Sequence, residues 1–243
     1  MTIADAPDHA DGYADRYDPD THFDRWYTDA TADAIAPTIR NGDRVLELGC
    51  ATGRMTEALC ERGADVTAVE HSETYLERAS RRGLDARFVH ADIEAWLADA
   101  VHDGLRFDHI LATNVVHELR DLDAVFAACR RLVRVDGAMH VTLQNPESIH
   151  RLTGRALGLI VDLAEVTPEG HDLLTLQIHD ADQLTYALSR AGFVVVGRHG
   201  IMLKPFPNHE MAALTEAQLR GLVAVAKEFP DHSAMNHLIA RPA

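Results

Sequence analysis

Four polar side chains fall where they could hold one small molecule. Glu47 stands two residues before Gly49 in the run Val45-Leu46-Glu47-Leu48-Gly49-Cys50-Ala51-Thr52-Gly53. A glycine turn between a strand and a helix usually offers bare backbone N–H groups to a phosphate. A carboxylate beside that turn repels phosphate and attracts a cation. Glu70 follows the turn by about 20 residues, the spacing at which an acid accepts from both hydroxyls of a ribose. Its other reading is a helpful charge at the start of the helix after Ser72. Asp92 and Asn114 come at the next two intervals, and Asp92 could equally cap a helix. As a set, these residues suit a ligand with an ammonium and a ribose but no phosphate.

The elements that must hold them are legible from apolar runs and their punctuation. Strands are predicted at 44–48, 65–70, 86–91, 107–113, 138–144, 193–200 and 235–241, and helices at 54–62, 72–82, 93–100, 121–135 and 181–191. Gly63, Gly83 and Gly137 follow three of these helices, where a left-handed cap belongs. Apolar strands alternating with amphipathic helices give an α/β fold, a Rossmann-like doubly wound sheet of seven strands. In such a sheet the ligand lies beyond the carboxyl ends of the strands. Glu47, Glu70, Asp92 and Asn114 each end a successive strand.

Two stretches interrupt the alternation, at about 146–180 and 202–232, and insertions of this length usually serve a site. Residues 13–40 concentrate Tyr13, Tyr17, Phe23, Trp26 and Tyr27 in a chain otherwise poor in aromatics. Pro19 suggests two short helices there. The segment 1–40 reads as a helical lid preceding a domain at 41–243, or simply as a packed cover for a sheet edge.

The run VLELGCATG resembles the first motif of class I S-adenosylmethionine (SAM)-dependent methyltransferases, an acidic residue followed by Gly-x-Gly-x-Gly. Ala51 replaces the middle glycine, and alanine keeps the backbone accessible if its φ is negative. The likeness extends over about residues 40–200 and resembles in particular bacterial natural-product methyltransferases. It implies a last strand inserted antiparallel, SAM as cofactor and S-adenosylhomocysteine as product. It further implies that Glu47 meets the ammonium and Glu70 the ribose, while Asp92 and Ile93 take the adenine. Gly49, Cys50, Ala51, Gly53, His71 and Asn114 complete the cofactor set. Cys50 has the plainer alternative of small loop filler.

SAM already carries an activated methyl group, so the protein must align an acceptor and exclude water. His117 follows the fourth strand and His150 the fifth; either could act as a base. Tyr17, Arg151, His171, Lys204 and Asn208 are candidates for the acceptor side. An arginine fork suits carboxylate or phosphonate geometry, so the expectation is a small anionic acceptor methylated on oxygen. Lys204 could instead pair with a surface acid. An amine acceptor, or SAM binding without catalysis, are the other readings, and Glu118 and Glu147 keep the first of these open.

The formal net charge is −15 with Lys204 and Lys227 as the lysines, which argues against nucleic acid or an anionic membrane as partner. Cys50, Cys60 and Cys129 have no C-x-x-C spacing and read as free thiols in a reducing compartment. No metal-ligand spacing, secretory signal or membrane-length apolar run is seen. The expectation is a cytoplasmic monomer or homodimer acting on a small molecule.

Overall fold

A computed structural model describes Ala14, residues 17–166 and residues 175–243. The seven strands are β1 (Arg44–Leu48), β2 (Asp65–Glu70), β3 (Ala86–His90), β4 (Phe107–Thr113), β5 (Val133–Gln144), β6 (Phe193–Ile201) and β7 (Met235–Pro242). They lie in the order β3-β2-β1-β4-β5-β7-β6. β1 to β5 are parallel, and β7 runs antiparallel between β5 and β6. The chain therefore reverses its winding between β1 and β4. That is the switch point where strand ends splay and a crevice opens.

The helices among the described residues are α1 (Arg25–Ile35), α2 (Arg54–Glu61), α3 (Glu73–Ser80), α4 (Ile93–His102), α5 (Leu122–Leu132), α6 (Ile149–Ala156), α7 (Ala181–Arg190), α8 (Asn208–Met211) and α9 (Glu216–Val225). Strand periodicity sends alternate residues of β1 to opposite faces. Leu46 and Leu48 enter a core with Phe126, Leu132 and Leu184 from α5 and α7. Val45 packs on the other face with Ile35, Leu59 and Leu111. Glu47 shares that second face, so the pleat alone drives its carboxylate into the space beside α2. α5 shows why these helices form: Val125, Phe126, Cys129 and Leu132 are buried at helical spacing, and Asp121 caps the helix by accepting from the Ala124 N–H.

Several expectations are corrected. The helix expected at 121–135 stops at Leu132, because Val133–Val135 already belong to β5. Gly137 is accordingly a strand residue and not a helix cap; a Cβ there would meet the Asp108 carbonyl oxygen at 2.5 Å. Gly63 and Gly83 do adopt the left-handed conformation. Pro19 lies in a turn, and α1 is the helix formed between residues 17 and 35, followed by a 3-10 turn at Ala36–Thr38. The insertions carry α6 in one case and α8 and α9 in the other.

Candidate active site

A cleft opens above the carboxyl ends of β1, β2, β4 and β5. Glu47, Gly49, Cys50, Ala51, Glu70, His71, Asn114 and His117 line it, with Tyr17 from the N-terminal segment. Nine residues expected at the site on sequence grounds thus meet in one cavity.

Glu47 is 1 % exposed and accepts a 2.6 Å hydrogen bond from Thr56 Oγ1 on α2. Burial lifts its pKa to about 7 against the opposing hydrogen bond, and the Glu70 charge adds to the rise. Glu70 is also raised, chiefly by burial. One Glu70 oxygen accepts from the Ala51 N–H and the other from the Ser72 N–H, each at 2.8 Å. The carboxylate thereby ties the glycine loop to the start of α3 while lining the cleft. Cys50 is buried, and its thiol pKa is pushed far up by burial and by both glutamates. It is a small apolar filler and not a nucleophile.

The loop needs left-handed backbone at three positions: Gly49 (φ 75°), Ala51 (φ 44°) and Gly53 (φ 80°). Ala51 therefore does not have the negative φ expected of it. An alanine in that conformation carries a steric cost of about 1–2 kcal/mol. Gly49 also has no room for a side chain, since a Cβ would lie 3.0 Å from Val115 Cγ2 and 3.9 Å from Ile93 Cδ1. Asn114 has φ 53° at the end of β4. Its N–H donates to Thr142 Oγ1 at 2.9 Å, so β5 holds the turn that redirects the chain over the cleft. Asparagine is among the few non-glycine residues that tolerate this conformation.

His117 lies in that turn. It is 8 % exposed, and its Nε2 is 3.4 Å from Glu118 Oε1. Its Nδ1 is buried without a hydrogen-bond partner. The His117 carbonyl accepts from the Leu176 N–H at 2.9 Å, which fixes the backbone of the turn.

Other candidates stand elsewhere. Asp92 caps α4 through the Ala95 N–H and pairs with Arg120 at 2.8 Å, so the capping role is realised. Asp92, Ile93 and Gly53 are outside the cleft lining, although Ile93 packs against the Gly49 turn. His150 lies on α6, away from the cleft lining, with its pKa lowered to about 4 by burial and by the charges of Lys204 and Arg151. Arg151 is committed to structure: Nε donates to the Leu163 carbonyl at 3.0 Å and a terminal nitrogen to the Glu165 carbonyl at 2.7 Å. Lys204 Nζ sits 6.0 Å from the centre of the Tyr27 ring. Asn208 donates to Asp24 Oδ1 at 3.1 Å. The expected cationic grip on an acceptor is therefore not assembled at the cleft. His171 falls outside the described residues.

The sequence reading passed over Asp24, Thr28, Tyr75 and Gln144, all of which line the cleft. Gln144 was within reach, since it ends β5 and the strand-end rule applies to it as to the others. Tyr75 was not, because only the docking of the N-terminal segment makes a residue of α3 part of the wall. No group of three or more acidic, histidine or cysteine side chains among the described residues could hold a metal ion.

A doubly wound sheet with an antiparallel insertion at its end, and acids at the ends of β1 and β2, defines the class I methyltransferase architecture. A family model described as a methyltransferase domain matches residues 45–137. The ubiquinone biosynthesis O-methyltransferase of Brucella anthropi is 30 % identical over 181 residues, 71 % of this chain and 68 % of that protein. That of Mesorhizobium japonicum is 31 % identical over 169 residues, 68 % of this chain and 65 % of that protein. The chain thus spans somewhat under two thirds of that second relative. A SAM-dependent methyltransferase from Archaeoglobus fulgidus has the same fold, with a TM-score of 0.61 at 16 % identity, covering 87 % of this chain and 91 % of that one. The chain belongs to the class I SAM-dependent methyltransferases, and SAM is the family's cofactor.

The residues present fit that cofactor. A buried carboxylate at Glu47 and a half-buried one at Glu70 stand beside a close backbone approach at Gly49, an acceptor set suited to an ammonium and a diol and hostile to a phosphate. No helix among the described residues is long and apolar enough to cross a membrane.

Proposed function

We propose that this protein is a small-molecule O-methyltransferase that methylates a hydroxyl oxygen, with His117 as the base. The observation that carries the reading is the His117 ring. It lines the cofactor cleft, almost wholly buried, with Nδ1 free of any partner and Glu118 beside Nε2. Glu118 favours a proton on Nε2, which leaves Nδ1 as a bare acceptor. A hydroxyl donating to Nδ1, once a small turn of the ring brings that buried nitrogen to the cleft, would lose its proton there as its oxygen becomes a nucleophile.

When bound, SAM supplies a sulfonium-activated methyl group. Glu47 would receive its ammonium and Glu70 its ribose hydroxyls. Gly49, Ala51 and Asn114 would line its path, and Asp92 and Ile93 would bound the adenine once Arg120 shifts. The N-terminal segment would exclude water as a lid over the domain at 41–243. The acceptor is better read as neutral than as anionic, because Arg151 and Lys204 are engaged elsewhere while Asp24 and Glu118 line the cleft. The names of the O-methyltransferase relatives support oxygen as the acceptor atom. The protein would act in the cytoplasm as a monomer or homodimer.

Those same carboxylates favour one second reading, an amine acceptor. The two separate in a mass-spectrometric screen of phenols, alcohols, carboxylic acids, phosphonates and amines with SAM. Methylated hydroxyl compounds are expected, and His117→Gln should lower kcat/KM for them by about a hundredfold or more. Methylation of amines alone would overturn the hydroxyl reading.

A further inference from the structure

We infer that Asp20 is a positioning residue for the cofactor loop, acting through Thr52 and locking the N-terminal segment over the cleft. The inference rests on the methyltransferase reading of that cleft. Thr52 is the loop residue between Ala51 and Gly53, and it is 1 % exposed. Both of its polar handles are held from outside the loop. Its hydroxyl donates to Asp20 Oδ1 at 3.1 Å, and its carbonyl accepts from Arg82 Nε at 2.5 Å. Arg82 in turn donates to the same Asp20 oxygen at 2.6 Å. A closed triangle therefore links the segment before α1, the cofactor loop and the end of α3.

Asp20 is also the hub of a larger array. Its second oxygen accepts from Arg78 at 3.1 Å, and Arg54 approaches at 3.5 Å. Arg78 also donates to Asp18, and Arg54 to Asp29. Arg54 on α2, Arg78 on α3 and Arg82 just past the end of α3 thus face Asp18, Asp20 and Asp29 of one chain segment. Side chains in the hub are only 22–28 % exposed. Pairs this sheltered are worth more than ordinary surface pairs, yet still respond to salt. Tyr75 completes the closure by donating to the Tyr17 carbonyl at 2.7 Å. Tyr17, Pro19, Asp24 and Thr28, from the same segment, wall the cleft.

The left-handed backbone at Ala51 and Gly53 gives this clamp its purpose. A loop with an alanine in an unfavoured conformation needs an external constraint to stay in register, and Thr52 sits between the two positions. Asp20 and Arg82 supply that constraint only while the segment is docked. Entry and exit of a ligand as large as SAM require the segment to lift, so the Asp20 contacts are remade on every binding event. Their strength appears in cofactor affinity and release rate more than in the rate of transfer.

The test compares wild type with Asp20→Asn, Asp20→Ala and Thr52→Val, and with Arg81→Ala as control. Arg81 adjoins Arg82 in the chain but pairs with exposed Glu77 outside the hub. Binding of SAM is measured by calorimetry at low and high salt, release by stopped-flow displacement, and KM and kcat by turnover. Asp20→Asn and Thr52→Val should weaken SAM binding by about tenfold, with faster release and a rise in KM exceeding any fall in kcat. Added salt should weaken wild type toward the Asp20→Asn value while moving the variant much less. Arg81→Ala should bind as wild type does. Wild-type affinity and salt response in both Asp20 variants would overturn the inference. Failure of wild type itself to bind SAM would instead contradict the methyltransferase reading.

Discussion

Glu47 carries the cofactor assignment at the scale of a single residue, and its environment gives that assignment a proton signature. Burial leaves it half protonated near pH 7. An ammonium stabilises the carboxylate form, so binding at pH 7 should release on the order of half a proton. Affinity should fall as pH drops below 7 and level off above it. Calorimetry in two buffers of different ionisation enthalpy would measure the release, and Glu47→Gln should abolish it together with most of the affinity. A binding enthalpy independent of buffer would contradict the role. The acid was visible in the sequence because its position relative to Gly49 is fixed by the motif. What the sequence did not reveal is the conformation of Ala51. A positive φ is imposed by the turn as a whole, and no propensity of alanine announces it. Ala51→Gly should therefore be neutral or stabilising by up to about 1 kcal/mol, relief of strain exceeding the entropy lost with an added glycine, as thermal unfolding would show.

Among the elements, β5 departs most from its expected form. A helix was expected to continue to Val135, with Gly137 just past it as a cap. Pairing of Val133 with Phe107 takes precedence and starts the strand early. Gly137 then sits where β5 crosses the Asp108 carbonyl, at a shift in the β4–β5 register. Gly137→Ala should destabilise the fold by about 2–3 kcal/mol, measured by urea unfolding, because backbone must move to admit the Cβ. A change within about 0.5 kcal/mol would show that the strand gives way easily. α6 supplies the parallel case on the acceptor side. Arg151 read as an anion ligand because its charge is visible in a sequence, whereas carbonyl groups of residues 163 and 165 aimed at it are not. Arg151→Ala should quicken proteolysis between residues 157 and 166 and leave the acceptor KM unchanged. A large rise in that KM would restore the anion-binding role.

For the whole molecule, acid sensitivity follows from a row of histidines across the sheet. His109, His140 and His237, on β4, β5 and β7, are linked ring to ring at 3.2 Å and 3.1 Å, with Asp43 at 3.4 Å from the His109 end. Burial depresses all three pKa values, that of His237 to about 4. A histidine held neutral contributes stability that is complete above its unfolded pKa, about 6.5, and is lost as pH falls toward the folded value. Glu47 and Glu70 are shifted the opposite way and gain stability over part of that range. The histidines win on number, since His150 and His179 are also depressed. Unfolding free energy should fall by a few kcal/mol between pH 7 and pH 5, at most about 2 kcal/mol for each fully buried ring. His140→Gln should flatten that slope. A stability constant across this interval would show that the rings are already charged or that the row opens to water. The seven-stranded doubly wound sheet was legible from the alternating elements, and its antiparallel last strand from the family resemblance alone. The row was not, because His109 meets His140 through the β4–β5 register, and His237 joins His140 only through the antiparallel insertion of β7.

Selection of one cofactor by the strand-end carboxylates is tested most directly by a calorimetric titration of the wild-type protein at pH 8 with SAM and, separately, with NAD. SAM should bind saturably at one site per chain, more weakly by about tenfold or more with Glu47→Gln, and NAD should give no binding heat. Binding of NAD with no response to SAM would contradict the account at its base.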